Sequence, residues 1–142
     1  MRLTDCGDYA LRVLMYAAAR EGELITIEET AERYGISRSH LMKVVNLLTR
    51  SGYLTAVRGR SGGLKLGTAP EKIGLGQVVR ATEPDFGLVE CFATGGRCRI
   101  TPSCRTSRGV LGEALAAFVA TLDRYTLADL VLDPAEFGLA PA

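Results

Sequence analysis

Apolar residues near the start of the chain fall at helical spacing: Cys6, Tyr9, Ala10, Val13, Leu14 and Ala17 share one face. They predict a helix over residues 5–20, capped by Thr4 or Asp5 and followed by Gly22. The next apolar set is Ile27, Ala31 and Tyr34, and it begins inside Thr26-Ile27-Glu28-Glu29. That is a capping-box pattern, in which the Thr hydroxyl accepts from the Glu29 amide while the Glu29 side chain reaches back. Gly35 ends this short helix where positive φ is tolerated. Ser37 is a second N-cap. Leu41, Val44, Val45 and Leu48 give the next helix an inward face as far as about Arg50, and Gly52 closes it. Two short helices joined by a tight glycine-containing turn form a helix-turn-helix.

After Gly52 the period changes to two. Tyr53–Val57 reads as a strand, Arg58–Gly63 as a turn, and Leu64-Lys65-Leu66 as the returning strand. A hairpin directly after a helix-turn-helix is a wing. Pro70 ends that unit, and a short helix follows over Leu75–Thr82 with Val78 and Val79 inward. A loop spans residues 84–106. Beyond it a long helix from about Arg108 to Arg124 carries a broad stripe of Val110, Leu111, Ala114, Leu115, Phe118, Val119 and Leu122. A stripe this wide, far along the chain from the N-terminal core, predicts a dimerisation helix. Dimerisation suits a helix-turn-helix protein that reads two half-sites about one DNA turn apart. Thr126–Asp129 reads as a small capped turn, and the tail from Asp133 as loose. The expected fold is mainly α with a small β-hairpin wing. Its parts are a winged helix-turn-helix DNA-binding domain over 1–83, a cysteine-rich loop over 84–106, a dimerisation helix over 107–132 and a loose tail over 133–142.

The composition, with 47% hydrophobic and 23% charged residues, is that of an ordinary folded domain and too apolar for disorder. No run approaches the ~20 apolar residues a membrane span needs, and the start has no signal-peptide pattern. The expectation is a cytoplasmic protein without a membrane partner, where structural disulfides are rare. The net charge of +1 conceals an asymmetry. Residues 21–36 set Glu21, Glu23, Glu28, Glu29 and Glu32 against Arg33, whereas residues 37–65 hold Arg38, Lys43, Arg50, Arg58, Arg60 and Lys65 with no acid. A continuous all-basic segment that starts at the second helix predicts a double-stranded DNA surface. The candidate contacts are Ser37, Arg38, Ser39, His40 and Lys43 on that helix. Arg58 and Arg60 at the wing tip join them, since arginine is favoured in a narrow minor groove. No phosphate-binding glycine motif, nucleophile elbow or HExxH occurs, and His40 is the single histidine. An enzyme is not expected.

Glu90–Cys104 reads ECFATGGRCRITPSC and holds three of the four cysteines, separated by six and then five residues. Structural zinc prefers ligand pairs two to four residues apart and four ligands in all. A disulfide switch would pair two thiols and leave one. Inert packed cysteine is the ordinary reading for a lone one. An iron–sulfur cluster suits soft thiolates at wide spacing, with a fourth ligand from Cys6, Asp5, Asp8 or a small molecule. The residues alone leave a winged-helix DNA-binding dimer with a metal or redox loop.

The opening MRLTDCGDYALRVLMYAA, the segment GISRSHLMKVVNLLTRSGYL, the wing RGRSGGL, the three-cysteine loop with ECF before it, and DRYTLADL near the end occur in one order. In this the chain resembles the NsrR family of nitric-oxide-sensing repressors, within the winged-helix superfamily that also contains the iron–sulfur regulator IscR. The resemblance implies a homodimer in which Cys91, Cys98 and Cys104 ligate a 4Fe–4S or 2Fe–2S cluster, with Asp8 completing it from the other subunit. It implies that nitric oxide attacks the cluster and relieves repression of detoxification genes. The alternative is a regulator of the same fold that senses iron supply or redox state.

Overall fold

The computed structural model describes residues 2–89, 92 and 109–138. Helix α1 spans Asp5–Ala19, with Thr4 as its cap. Helix α2 spans Ile27–Tyr34, and α3 spans Arg38–Arg50. Thr26 caps α2 as expected, its hydroxyl accepting from the Glu29 amide at 3.1 Å. The Glu29 carboxylate does not reach the Thr26 backbone. It accepts instead from the Thr26 hydroxyl at 3.2 Å and the Tyr16 hydroxyl at 3.3 Å, so it ties α2 to α1. Gly35 takes φ 63°, ψ 32° at the C-cap, a left-handed conformation that suits glycine. Ser37 then caps α3, accepting from the His40 amide at 3.4 Å.

Strands β1 (Leu54–Val57) and β2 (Gly63–Leu66) pair antiparallel, with Leu54 opposite Leu66 and Val57 opposite Gly63. Ile25, just before α2, bridges to Leu64 through two backbone bonds of 2.9 and 2.8 Å. The base of the hairpin is thereby sewn to the helix-turn-helix. Helix α4 spans Leu75–Thr82, with Val78 and Val79 buried as predicted. Helix α5 spans Leu111–Leu122.

One core joins these elements. Ala10, Val13 and Leu14 of α1 meet Leu41, Val44, Val45 and Leu48 of α3, with Leu54 and Leu64 of the hairpin and Ile73 and Val78 beside them. Burying each such side chain is worth about 1.5–3 kcal/mol, so this shared core fixes where α3 points.

The C-terminal part returns to the core instead of trailing away from it. The Leu75 amide donates to the Tyr125 carbonyl at 3.0 Å, the Leu127 amide donates to the Ile73 carbonyl at 2.8 Å, and Leu127 is fully buried. Thr126 and Asp129 form the predicted capped turn, the Thr126 amide donating to the carboxylate at 2.7 Å. The tail expected to be loose from Asp133 is folded over Pro134–Phe137. Phe137 lies 6.0 Å from the Tyr16 ring, and its carbonyl accepts from Arg33 of α2. The aromatic side chain supplies the reason: its apolar ring finds cover between α1 and α2.

Candidate nucleic-acid interface

Helix α3 buries Leu41, Val44, Val45 and Leu48 and so turns its other side outward. At 3.6 residues per turn, Ser39, Met42, Lys43, Asn46 and Arg50 fall on that outward side, and all five are exposed. Ser37, Arg38 and His40 are exposed as well. Ser37 is committed to capping α3. Arg38 pairs with Glu28 of α2 at 3.2 Å. Among the described residues, Lys43, Arg50, Arg58, Arg60 and Lys65 make no ion pair.

Arg58 and Arg60 sit at the exposed hairpin tip. Gly59 between them takes φ 121°. The wing and α3 share the core through Leu54, Leu64 and Leu48, so the two basic parts are held as one body.

Met42 and Asn46 carry no charge and do not stand out in the basic segment of the sequence. Met42 is 47% exposed, on the side of α3 that also carries Lys43 and Asn46. An exposed amide and an exposed thioether beside Lys43 suit base edges, since Asn matches adenine and apolar groups meet the thymine methyl. Their spacing of three and seven residues from Ser39 was the available signal.

Cys91, Cys98 and Cys104 lie outside the described residues. Among the described residues, no three of His, Cys, Asp and Glu gather as a metal site. The donor chemistry fits an iron–sulfur cluster, with three thiols in one short stretch and carboxylates near the start of α1. Asp5 is exposed in the first turn of α1. Cys6 is partly buried and packs against the core. Burial, and then the Glu83 carboxylate, push its thiol up. Asp8 is half exposed and grips Arg12, with oxygen–nitrogen separations of 2.8 and 3.1 Å.

Arg12 leads from Asp8 toward the end of α2. Its guanidinium lies 5.9 Å from the centre of the Tyr34 ring, and its carbonyl accepts from the Tyr34 hydroxyl at 3.0 Å. Burial pushes Tyr34 up to about 12, so it stays a neutral donor. Tyr34 is the last residue of α2 and stands directly before Gly35 and the turn into α3. Asp8, Arg12 and Tyr34 thus form a continuous polar path from the first turns of α1 to the start of the recognition turn.

Helix α5 buries none of its residues completely. Leu115, Phe118 and Leu122 line an apolar groove of about 490 Å³ with Leu11, Leu75 and Val79. Its other side shows Glu113, Ala114, Ala116, Ala117 and Ala120 to solvent. Arg80 and Asp123 fix the helix end to α4, with bonds of 3.1 and 2.6 Å. No helix among the described residues is long and apolar enough to cross a membrane.

A family model described as Rrf2, iron-dependent transcriptional regulator, matches residues 3–133. The HTH-type transcriptional regulator NsrR of Bacillus subtilis is 53% identical over 133 residues, covering 92% of this chain and 90% of its own. The protein of the same name from Bacillus licheniformis is 46% identical over 135 residues, 94% of each chain. Among solved structures, CymR of B. subtilis, titled the global cysteine regulator, matches with TM-score 0.71 and 25% identity over 92% of this chain and 95% of its own. IscR of T. potens matches with TM-score 0.70 and 24% identity over 100% of this chain and 94% of its own, a likeness of fold. These relatives are regulators and not enzymes.

Proposed function

The chain belongs to the Rrf2 family of transcriptional regulators, and we propose that it is a homodimeric repressor that binds operator DNA and senses nitric oxide through an iron–sulfur cluster. The observation that carries the reading is near-full-length similarity, at 53% identity, to a regulator named NsrR. The three-cysteine stretch of the sequence agrees with it.

Cys91, Cys98 and Cys104 of one subunit would hold the cluster, with Asp8 of the partner subunit as the fourth ligand. When bound, the cluster supplies irons with which nitric oxide reacts. The chain's own residues do the rest. An Asp8 engaged as a ligand shares its charge between the metal and Arg12. Asp8 lies 2.8 Å from Arg12, so a change in its duty as a ligand would alter how much of its charge Arg12 receives. Arg12 is the residue against Tyr34, so the change arrives at the turn that sets α3. Ser39, Met42, Lys43 and Asn46 face the major groove. Arg58, Arg60 and Lys65 contact the backbone and the minor groove. Phosphate contacts position the protein, and base edges specify the site. The alanine side of α5 pairs two subunits, because small residues let helices approach closely. A coupling of about 1.4 kcal/mol between ligand state and DNA suffices for a tenfold change in affinity.

The family description, iron-dependent, favours a second reading in which iron supply is the signal. Anaerobically purified protein decides between them. Visible cluster bands that collapse on titration with nitric oxide, in step with DNA release, support the first. DNA release on iron chelation but not with nitric oxide supports the second. A protein that is colourless after anaerobic reconstitution refutes both. Asp8→Ala protein that keeps its cluster and an undiminished nitric-oxide response removes Asp8 from the mechanism.

A further inference from the structure

Tyr16 of α1 is buried, and residues of α2 surround its ring. Its hydroxyl donates to Glu29 at 3.3 Å, the Arg33 guanidinium lies 5.9 Å from its ring centre, and the Tyr34 ring meets it edge-on at 6.2 Å. Further cover comes from far along the chain, where Phe137 packs on the same ring at 6.0 Å. The Phe137 carbonyl also accepts from Arg33, so the guanidinium over Tyr16 is itself held by the C-terminal turn. That turn is set by its own residues. Pro134 fixes φ at its first position. The Asp133 carboxylate accepts from the Ala135 amide at 2.9 Å, and the Glu136 carboxylate accepts from the Asp133 amide at 3.1 Å. Leu127, fully buried upstream, roots the turn in the core.

The placement of α2 is passed to α3 by two contacts. The Ile36 amide donates to the Ala31 carbonyl at 3.0 Å, and Ile36 is buried. Glu28 of α2 faces Arg38 of α3 at 3.2 Å. We propose that Phe137 is a positioning residue for DNA recognition: the C-terminal turn clasps α2 to α1 and so holds the helix-turn-helix at the angle its base contacts need. The proposal rests on the reading of the chain as an operator-binding regulator. Phe137 carries no charge and acts through α2, so its loss leaves every cation of the DNA face in place. A flexible lysine or arginine follows a phosphate through a small shift, whereas a hydrogen bond to a base edge weakens steeply with angle. The clasp therefore supports discrimination between sequences more than overall attraction to DNA.

The test uses anaerobically purified protein and two duplexes, one selected by the wild type from a random pool and one unrelated, read by fluorescence anisotropy across a salt series. Phe137→Ala should bind the selected duplex about tenfold more weakly, the worth of one base-edge contact. Its affinity for the unrelated duplex and its salt slope should match wild type. Phe137→Tyr keeps the ring and should bind as wild type does. Asp133→Ala loosens the turn and leaves the ring, and it should shift the selected duplex in the same direction. That variant keeps the test decisive if Phe137→Ala protein does not fold. In protein without DNA, amide hydrogen exchange over residues 29–34 should rise about tenfold in Phe137→Ala. A merely structural turn lowers the melting temperature and leaves the ratio of the two affinities unchanged where the variant is folded, and that result overturns the assignment. Unchanged exchange over residues 29–34 overturns it too, as does Phe137→Tyr protein as impaired as Phe137→Ala. Wild-type protein that selects no duplex refutes the operator binding proposed above and this assignment with it. A discriminating wild type matched by both Phe137→Ala and Asp133→Ala overturns the assignment alone.

Discussion

Replacing Arg60 by alanine isolates the electrostatic share of DNA binding. Arg60 is exposed at the wing tip and makes no ion pair among the described residues. Its charge is therefore available to a phosphate without first breaking a bond. A dimer carries two copies, and each phosphate neutralised contributes about 0.9 to the slope of log affinity against log salt. Removing both should lower that slope by about 1.8. Between about 50 and 200 mM salt, a fourfold span, the wild-type advantage over the variant should then shrink about twelvefold. Arg38→Ala is the internal control. Arg38 already faces Glu28 at 3.2 Å, so part of its charge is matched within the protein, and its removal should change the slope less. The assay is fluorescence anisotropy with operator DNA and with an unrelated duplex, across a salt series. Both duplexes should weaken together, because a phosphate contact carries no sequence information. An unchanged slope for Arg60→Ala refutes the assignment. A slope change equal to that of Arg38→Ala refutes the argument from ion pairing.

Three further outcomes follow from the geometry. Phe137→Ala removes the ring packed on Tyr16 and should cost about 1–3 kcal/mol in urea unfolding, below a fully buried Phe because the site is only partly covered. Tyr34 is neutral in the fold and pushed up to about 12 from an ordinary 10. The stability it contributes is therefore complete below pH 10 and lost as pH rises from 10 to 12, and Tyr34→Phe should flatten unfolding free energy over that window. Ala117→Glu places a charge on the exposed alanine side of α5. It should leave the melting temperature of dilute protein nearly unchanged while abolishing dimers in sedimentation. A dimer that survives the substitution removes α5 from the interface.

Local features were legible because their causes are local. Thr26, Gly35, Ser37 and Gly52 mark helix ends by backbone chemistry that extends over a few residues, and the structure places those ends accordingly. The outward face of α3 is half legible: its basic residues stand out by charge, while Met42 and Asn46 carry none and emerge only when the helical period is applied to the polar side. Contacts between distant positions were not legible. Nothing near Glu83 indicates that its carboxylate meets the Thr4 amide, and nothing near Phe137 names Tyr16. Both depend on how α1 and α4, or α1 and α2, cross once the core has formed. The Glu29 carboxylate shows the same limit. Its motif is local, but the nearby Tyr16 hydroxyl competed for it.

The backbone bonds between Ile73–Leu75 and Tyr125–Leu127 carry a consequence for descent. The chain leaves the DNA-binding body through α4 and returns to the start of that same helix. The segment between, which begins with Val78 of α4 in the shared core, is closed at its neck. Lengthening a loop whose ends are already held together is cheap, about 0.6 kcal/mol for each doubling. A change of length between the neck bonds leaves those bonds and the buried Leu127 in place. A DNA reader with such a neck can vary what lies beyond it while its grip on DNA is inherited intact.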